Sequence, residues 1–142
     1  MSAGIEAAFT IDRIAVDPAK FDEQHRGLCS KIIGEAKKRG LTLSHGRAAK
    51  LLNVYFKVRF VCGPDHSNER VPNIHPPIDR QLLNGLADEN AGGFREVWSA
   101  AASKGWSKFD RDDYQSVIEQ IKVTVVGKPL WTIEKFWPGH QL

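Results

Sequence analysis

The segment 44–61 carries the apolar pattern that most constrains how this chain can fold. Ser44 can cap a helix at its start, because its hydroxyl accepts a hydrogen bond from a backbone N–H of the first turn. Apolar residues then recur at helical spacing over most of the circumference, namely Ala48, Leu51, Leu52, Tyr55, Phe56 and Val58. The polar residues fall on one narrow stripe, namely Arg47, Lys50, Asn53 and Lys57. We therefore predict a central helix that is the most buried element of the fold.

A second helix is predicted to begin at Pro77, because proline suits a first helical position, where its missing N–H has no partner anyway. Pro76 disfavours helical geometry at the preceding residue, so His75 is expected at the mouth of this helix. Asp79 falls in the first turn, where a negative charge is favourable. It flanks an apolar face that consists of Ile78, Leu82, Leu83 and Leu86. The loop 63–74 between the two helices is long, and we expect it to be mobile.

Three longer patterns and one short one complete the prediction of an all-α protein. The longer patterns occupy residues 17–40, 94–105 and 110–125, and the short one follows Thr132. We predict one compact domain over the whole chain, a bundle of five main helices plus a short C-terminal helix. Residues 1–16 are predicted to form an N-terminal arm on the core, although their pattern also fits a short strand.

Composition sets broad limits on function. A hydrophobic content of 42% and a charged content of 26% are ordinary for a soluble globular protein. No segment approaches the ~20 apolar residues of a membrane span, and the N-terminus lacks the features of a secretory signal. We therefore expect a cytoplasmic protein without membrane association, in which Cys29 and Cys62 stay reduced. The net charge of +3 is compatible with nucleic-acid binding without being diagnostic of it.

The histidines and cysteines do not form a metal-binding motif. Only Cys62 and His66 lie close together in sequence, and no second pair with matching spacing supplies the remaining ligands of a zinc site. The chain also lacks the G-x-S-x-G motif of a serine nucleophile and a glycine-rich phosphate loop. We therefore predict neither a metal site nor a cofactor.

Asp79 is the strongest single candidate for chemistry. It either serves only its own helix terminus or acts in a site together with His75 and Arg80, its neighbours in sequence. The polar stripe of the preceding helix must meet either solvent or a polar partner, and Asp79 is the nearest carboxylate in sequence. We therefore predict that Asp79 faces a groove, with Lys50 or Lys57 on the same side of the molecule.

A second carboxylate, Glu134, lies between two tryptophans near the C-terminus. One interpretation is a solvated glutamate at the edge of an aromatic cluster. The other is a pocket wall formed by Trp131, Glu134 and Trp137, in which the carboxylate is tuned by its surroundings.

The order of features in residues 44–87 resembles the later half of the helix-hairpin-helix DNA glycosylase core. Segment 45–53 (HGRAAKLLN) is similar to the exit of the hairpin and the helix that follows it. Segment 75–86 (HPPIDRQLLNGL) is similar to the stretch that opens a helix with the catalytic aspartate. The resemblance implies that Asp79 is a catalytic residue that supports the sugar cation while the base leaves. Ala48 stands where bifunctional members carry their lysine nucleophile, so the carboxylate would act alone.

The same resemblance implies a set of contacts with DNA. Backbone N–H groups around Gly46 would hold a phosphate, and tryptophans would stack on an unpaired or flipped base. The nucleic-acid-binding residues would be Gly46, Arg47, Lys50, Lys57, His75 and Arg80. Two hypotheses follow. The first is a DNA-binding protein that is a reduced base-excision hydrolase, and the second is a non-catalytic helical module that binds a protein partner.

Overall fold

Five α-helices form the framework of residues 10–138, the part of the chain that the computed structural model describes. They are α1 (Pro18–Lys38), α2 (His45–Phe56), α3 (Arg80–Asp88), α4 (Arg95–Lys104) and α5 (Arg111–Val125). A 3-10 helix, Leu130–Phe136, follows α5, and no strand occurs within residues 10–138. The prediction of an all-α single-domain bundle with five main helices and a short C-terminal helix is confirmed.

Local hydrogen bonding explains where three of the helices begin. The Asp17 carboxylate accepts from the N–H groups of Ala19 and Lys20, and the Ser44 hydroxyl accepts from that of Arg47. Asp110 and Asp113 form a reciprocal capping box at the start of α5. All three starts agree with the predictions. Each capping group bonds to the backbone of its own first turn, so residues adjacent in sequence are sufficient to predict the start.

The central position predicted for α2 is confirmed on one face of the helix. Ala48, Leu52 and Phe56 have no exposed surface, and α2 packs against both α1 and α5. The prediction was wrong for Leu51 and Val58, whose side chains are 49% and 68% exposed.

The polar stripe predicted for α2 was wrong at Asn53, which is fully buried. Asn53 faces the core because hydrogen-bond partners from other elements meet it there. The segment Lys57–Val61 then continues α2 as a π-helical turn, which helical periodicity did not indicate.

The predicted start of the next helix at Pro77 was also wrong. The chain remains non-helical through Asp79, which is the N-cap of α3 with φ −138° and ψ 178°. Its carboxylate Oδ1 accepts a hydrogen bond from Leu82 N at 2.9 Å. The cap gives a hydrogen-bond partner to the N–H of Leu82, which would otherwise have none. Pro77 has no side-chain acceptor, so it cannot cap a helix in this way.

The predictions for the N-terminal arm and for the loop 63–74 are tested only in part. Residues 1–9 of the predicted arm lie outside the described part of the chain, while Ile11–Arg13 forms a 3-10 turn and Ile14 is buried in the core. The loop 63–74 is tied down at one end, because the Asn73 amide donates to the carbonyls of Ala15 and Val16. The mobility of the rest of that loop stays a prediction.

Helix α5 ends at a strained residue, which gives a test of the fold. Val126 adopts the left-handed conformation (φ 49°, ψ 61°) while its side chain is 82% exposed. A β-branched residue is disfavoured there by about 1–2 kcal/mol, and little burial compensates for it. We expect Val126→Gly to raise the free energy of unfolding by about 1 kcal/mol in chemical denaturation.

The matched control is Val123→Gly, another exposed valine that lies inside α5. Glycine in a helix interior should lower the free energy of unfolding by about 1 kcal/mol. If both substitutions lower the free energy of unfolding, Val126 is not strained.

Candidate functional site

An open groove runs beside α2 and has a cavity volume of about 340 Å³. It is bounded by α2 with its π-helical turn, by the segment 77–82, and by the end of the C-terminal 3-10 helix. Apolar side chains supply much of its lining, namely Val54, Val58, Pro77, Leu82 and Trp137. Four charged side chains also line it, namely Lys50, Lys57, Asp79 and Glu134. We refer to this feature as the α2 groove.

The charged residues of the α2 groove form two ion pairs. Lys50 Nζ lies 3.4 Å from Asp79 Oδ2, and Lys57 Nζ lies 2.6 Å from Glu134 Oε2. All four side chains keep partial contact with solvent, so each pair contributes only modestly to stability. The prediction that Asp79 faces a groove with Lys50 or Lys57 on its side is confirmed for both lysines.

Asp79 has a structural role and remains accessible at the same time. Oδ1 caps α3 through Leu82 N, while Oδ2 points to Lys50 in the groove. The cap fixes the carboxylate on a rigid helix end, and Oδ2 stays partly exposed in the groove beside Lys50. A carboxylate held in this way can stabilise a positive charge that develops on a bound molecule.

The three C-terminal residues proposed as a pocket wall divide into two groups. Glu134 and Trp137 line the α2 groove, and Trp137 is 37% exposed there. Trp131 is 40% exposed but does not belong to the groove lining, so its assignment to this wall was wrong. It lies six residues before Trp137, which corresponds to about 12 Å along a 3-10 helix.

Two of the predicted nucleic-acid contacts are buried and cannot reach a ligand on the surface. Gly46 N donates to the Phe109 carbonyl at 3.0 Å, so this N–H is not available to a phosphate. A Cβ at Gly46 would lie 1.9 Å from the Trp106 carbonyl oxygen, which shows that glycine is needed for close packing. His75 is buried in the core, where its ring is hydrogen-bonded to Tyr114 and Asp22.

The two predicted arginines are exposed and carry uncompensated charge. Neither Arg47 nor Arg80 has an ion-pair partner within residues 10–138. Arg47 lies three residues before Lys50 and seven before Val54, so it extends the groove face of α2. Arg80 follows Asp79 directly at the start of α3.

A buried network of polar side chains joins α1, α2, α5 and residues 75–76. Asn53 Nδ2 donates to the Pro76 carbonyl at 3.1 Å and to the Tyr114 hydroxyl at 2.9 Å. Its Oδ1 therefore faces His25 Nε2 at 2.7 Å and requires that nitrogen to be the donor. His25 Nδ1 is then the acceptor for the Cys29 thiol, at 3.6 Å.

The same network continues from Tyr114 towards the surface. The Tyr114 hydroxyl accepts from Asn53 and donates to His75 Nδ1 at 2.8 Å. His75 Nε2 consequently carries a hydrogen and donates to Asp22 Oδ1 at 2.8 Å. Asp22 Oδ2 accepts from Lys122 and Gln115, so the chain of donors ends at a carboxylate.

Burial controls the titration of these groups. It lowers the pKa of His25 well below its usual value and also lowers that of His75, against the opposing effect of Asp22. Burial alone would raise the pKa of Asp22, but hydrogen bonds from His75 and Lys122 lower it overall. Burial raises the pKa of Tyr114. Both histidines are therefore neutral and Asp22 is ionised at neutral pH.

Sequence periodicity did not reveal this network. Asn53 was assigned to the polar stripe of α2, and His25 lies among the apolar residues Phe21, Leu28 and Cys29 in the sequence of α1. The available signal was the presence of a histidine on an apolar face, because a buried polar group must find a partner.

Residues 10–138 contain neither a membrane-spanning helix nor a cluster of metal ligands. No helix there is long and apolar enough to cross a membrane. No group of three or more histidine, cysteine, aspartate or glutamate side chains there is arranged to hold a metal ion. Comparisons with protein-family models, curated proteins and solved structures find no match to this chain.

Proposed function

We propose that this protein binds DNA through the α2 groove and uses Asp79 to promote release of a base. The convergence of Asp79, Lys50 and Trp137 in one groove carries the proposal. The arrangement places a fixed carboxylate and its lysine partner beside an aromatic surface for a base. The resemblance of residues 44–87 to the helix-hairpin-helix DNA glycosylase core supports the same role for Asp79.

The chemistry requires little more than a fixed negative charge. Cleavage of a glycosidic bond leaves positive charge on the sugar, and a nearby carboxylate lowers the free energy of that transition state. Asp79 Oδ2 is the groove atom suited to this role, since Oδ1 is occupied by the N–H of Leu82. Water would then add to the sugar cation without a lysine nucleophile, and the proton that it loses would pass to the base, which leaves with the electron pair of the glycosidic bond.

Gly46 and His75 have no part in this proposal because both are buried. We assign the phosphate contacts to Arg47 and Arg80. Lys50 and Lys57 lie inside the groove, where each is paired with a carboxylate.

A second candidate is a non-catalytic module that binds a protein partner. One observation favours it. Leu51, Val54 and Val58 are exposed apolar side chains at positions i, i+3 and i+7 of one helical stretch. An exposed apolar stripe with a polar border is typical of a protein-interaction surface.

Asp79→Asn tests the enzymatic part of the proposal. Asparagine caps a helix about as well as aspartate, so stability and DNA affinity should stay close to wild type. Base release should be lost, because only the negative charge is removed. Release is measured on oligonucleotides that carry one oxidised, alkylated or deaminated base, in single-stranded and duplex form.

Two variants serve as controls for this experiment. Asp88→Asn changes an exposed aspartate at the other end of α3 and should leave base release unaltered. Asp79→Ala removes the cap as well as the charge and should also lower the free energy of unfolding by about 1 kcal/mol. Wild-type activity in Asp79→Asn would refute the catalytic role, and no salt-dependent DNA binding by the wild type would favour the protein-binding module.

A further inference from the structure

We infer that the preferred ligand of the α2 groove is single-stranded DNA, with its bases in the groove and its phosphates on the rim. This inference rests on the proposed DNA binding and specifies the form of the ligand. It follows from the distribution of apolar and charged side chains over the groove and its border.

The apolar lining is the first line of evidence. Val54, Val58 and Pro77 offer hydrocarbon surface to a ligand in the groove. In a duplex the faces of the bases are stacked on one another and only their edges and the phosphates are exposed. An apolar lining gains contact area from a ligand whose base faces are free, and an unpaired strand offers such faces without the free-energy cost of flipping a base out of a duplex.

The charges inside the groove give the second line of evidence. Both lysines of the groove are already paired, Lys50 with Asp79 and Lys57 with Glu134. A phosphate placed beside these pairs would meet two carboxylates as well as two ammonium groups. The interior of the groove is therefore close to neutral and does not favour an anionic backbone over a neutral base.

The border of the groove has the opposite character. Arg47 and Arg80 are exposed and have no acidic partner within residues 10–138. Each can form a bidentate contact with a phosphate. The uncompensated positive charge thus lies beside the groove, where the backbone of a bound strand would run.

Aromatic side chains supply the third line of evidence. Trp137 lines the groove and is 37% exposed, so part of its indole is available for stacking. Lys50 Nζ lies 4.9 Å from the centroid of the Trp106 ring, which fixes the direction of that lysine. Stacking on an aromatic ring tolerates any base sequence, so we infer binding with little sequence preference.

Fluorescence anisotropy with a labelled oligothymidylate and a labelled duplex of equal length tests the inference. The wild-type protein should bind the single strand about tenfold more tightly than the duplex, which corresponds to stacking of one base. Trp137→Ala should remove this difference, and Trp137→Phe should restore most of it.

Trp131→Ala is the matched control for Trp137→Ala. The two tryptophans are exposed to a similar extent, 40% and 37%, but only Trp137 lines the groove. Trp131→Ala should bind oligothymidylate as the wild type does. Equal losses of affinity in the two variants would overturn the assignment of the bases to the α2 groove.

The salt dependence tests where the phosphates lie. Neutralisation of two phosphates on a single strand by Arg47 and Arg80 predicts a slope of log K against log salt of about −1.4. Arg47→Gln or Arg80→Gln should reduce its magnitude to about 0.7, while Lys31→Gln on α1 should not alter it. An unchanged slope in both arginine variants would overturn the rim as the phosphate contact.

The outcomes separate the inference from the proposed function. Binding of the duplex as tightly as the single strand would overturn the inference but leave DNA binding intact. Absence of binding to either oligonucleotide would overturn both.

Discussion

Replacement of Asn53 by alanine is expected to lower the free energy of unfolding by about 3–5 kcal/mol. The change removes hydrogen bonds to His25, Tyr114 and the Pro76 carbonyl, all of which are buried. Each group that loses its partner costs about 1–3 kcal/mol, since no solvent reaches it in the native state. Urea denaturation of wild type and variant measures the difference.

Asn84→Ala is the control for this experiment, because Asn84 is exposed on α3. It should change the free energy of unfolding by less than about 0.5 kcal/mol. A loss below about 1 kcal/mol for Asn53→Ala would mean that water replaces the amide and that the network is not closed.

Acidification below pH 6.5 should destabilise the fold through the buried histidines. The pKa of His25 and that of His75 are both lowered from the usual 6.5 by burial. Between the native pKa and 6.5 the unfolded chain binds more protons than the native state. The stability is therefore fully present above pH 6.5 and is lost as the pH falls, by up to about 2 kcal/mol for each histidine between pH 7 and pH 5.

The pH dependence has its own control. His25→Gln should reduce the slope, because the glutamine amide can donate to Asn53 but does not titrate. Asp22, with its lowered pKa, adds a second loss only below its usual value of 3.8. A flat profile from pH 7 to 5 would contradict the neutral state of the buried histidines.

The sequence predicted those features that depend on residues close to one another in the chain. The caps at Asp17, Ser44 and Asp110 are formed with backbone groups of the same turn. The start of α3 was placed too early because Pro77 was assigned to the first helical position and Asp79 to the first turn. The hydrogen bond from Leu82 N to the Asp79 carboxylate instead makes Asp79 the N-cap.

One part of the candidate site, the contact between α2 and the start of α3, could be predicted from the order of the helices along the chain. Lys50 and Asp79 lie on consecutive elements, so their contact in the groove could be anticipated. The burial of Asn53 could not, because its partners come from α1, from Pro76 and from α5. A buried polar residue of this kind is placed by hydrogen-bond partners that are distant in sequence, and a local pattern does not contain them.

The hydrogen bonds of the buried network all run in one direction, from the Cys29 thiol to the Asp22 carboxylate. The Pro76 carbonyl fixes this direction, since it can only accept and therefore orients the Asn53 amide. The Nε2 hydrogens of His25 and His75 are exchangeable protons, and both are buried in the bundle out of contact with solvent. They can exchange with water only when the helices separate, so their exchange lifetimes record the opening of the whole fold rather than local fraying.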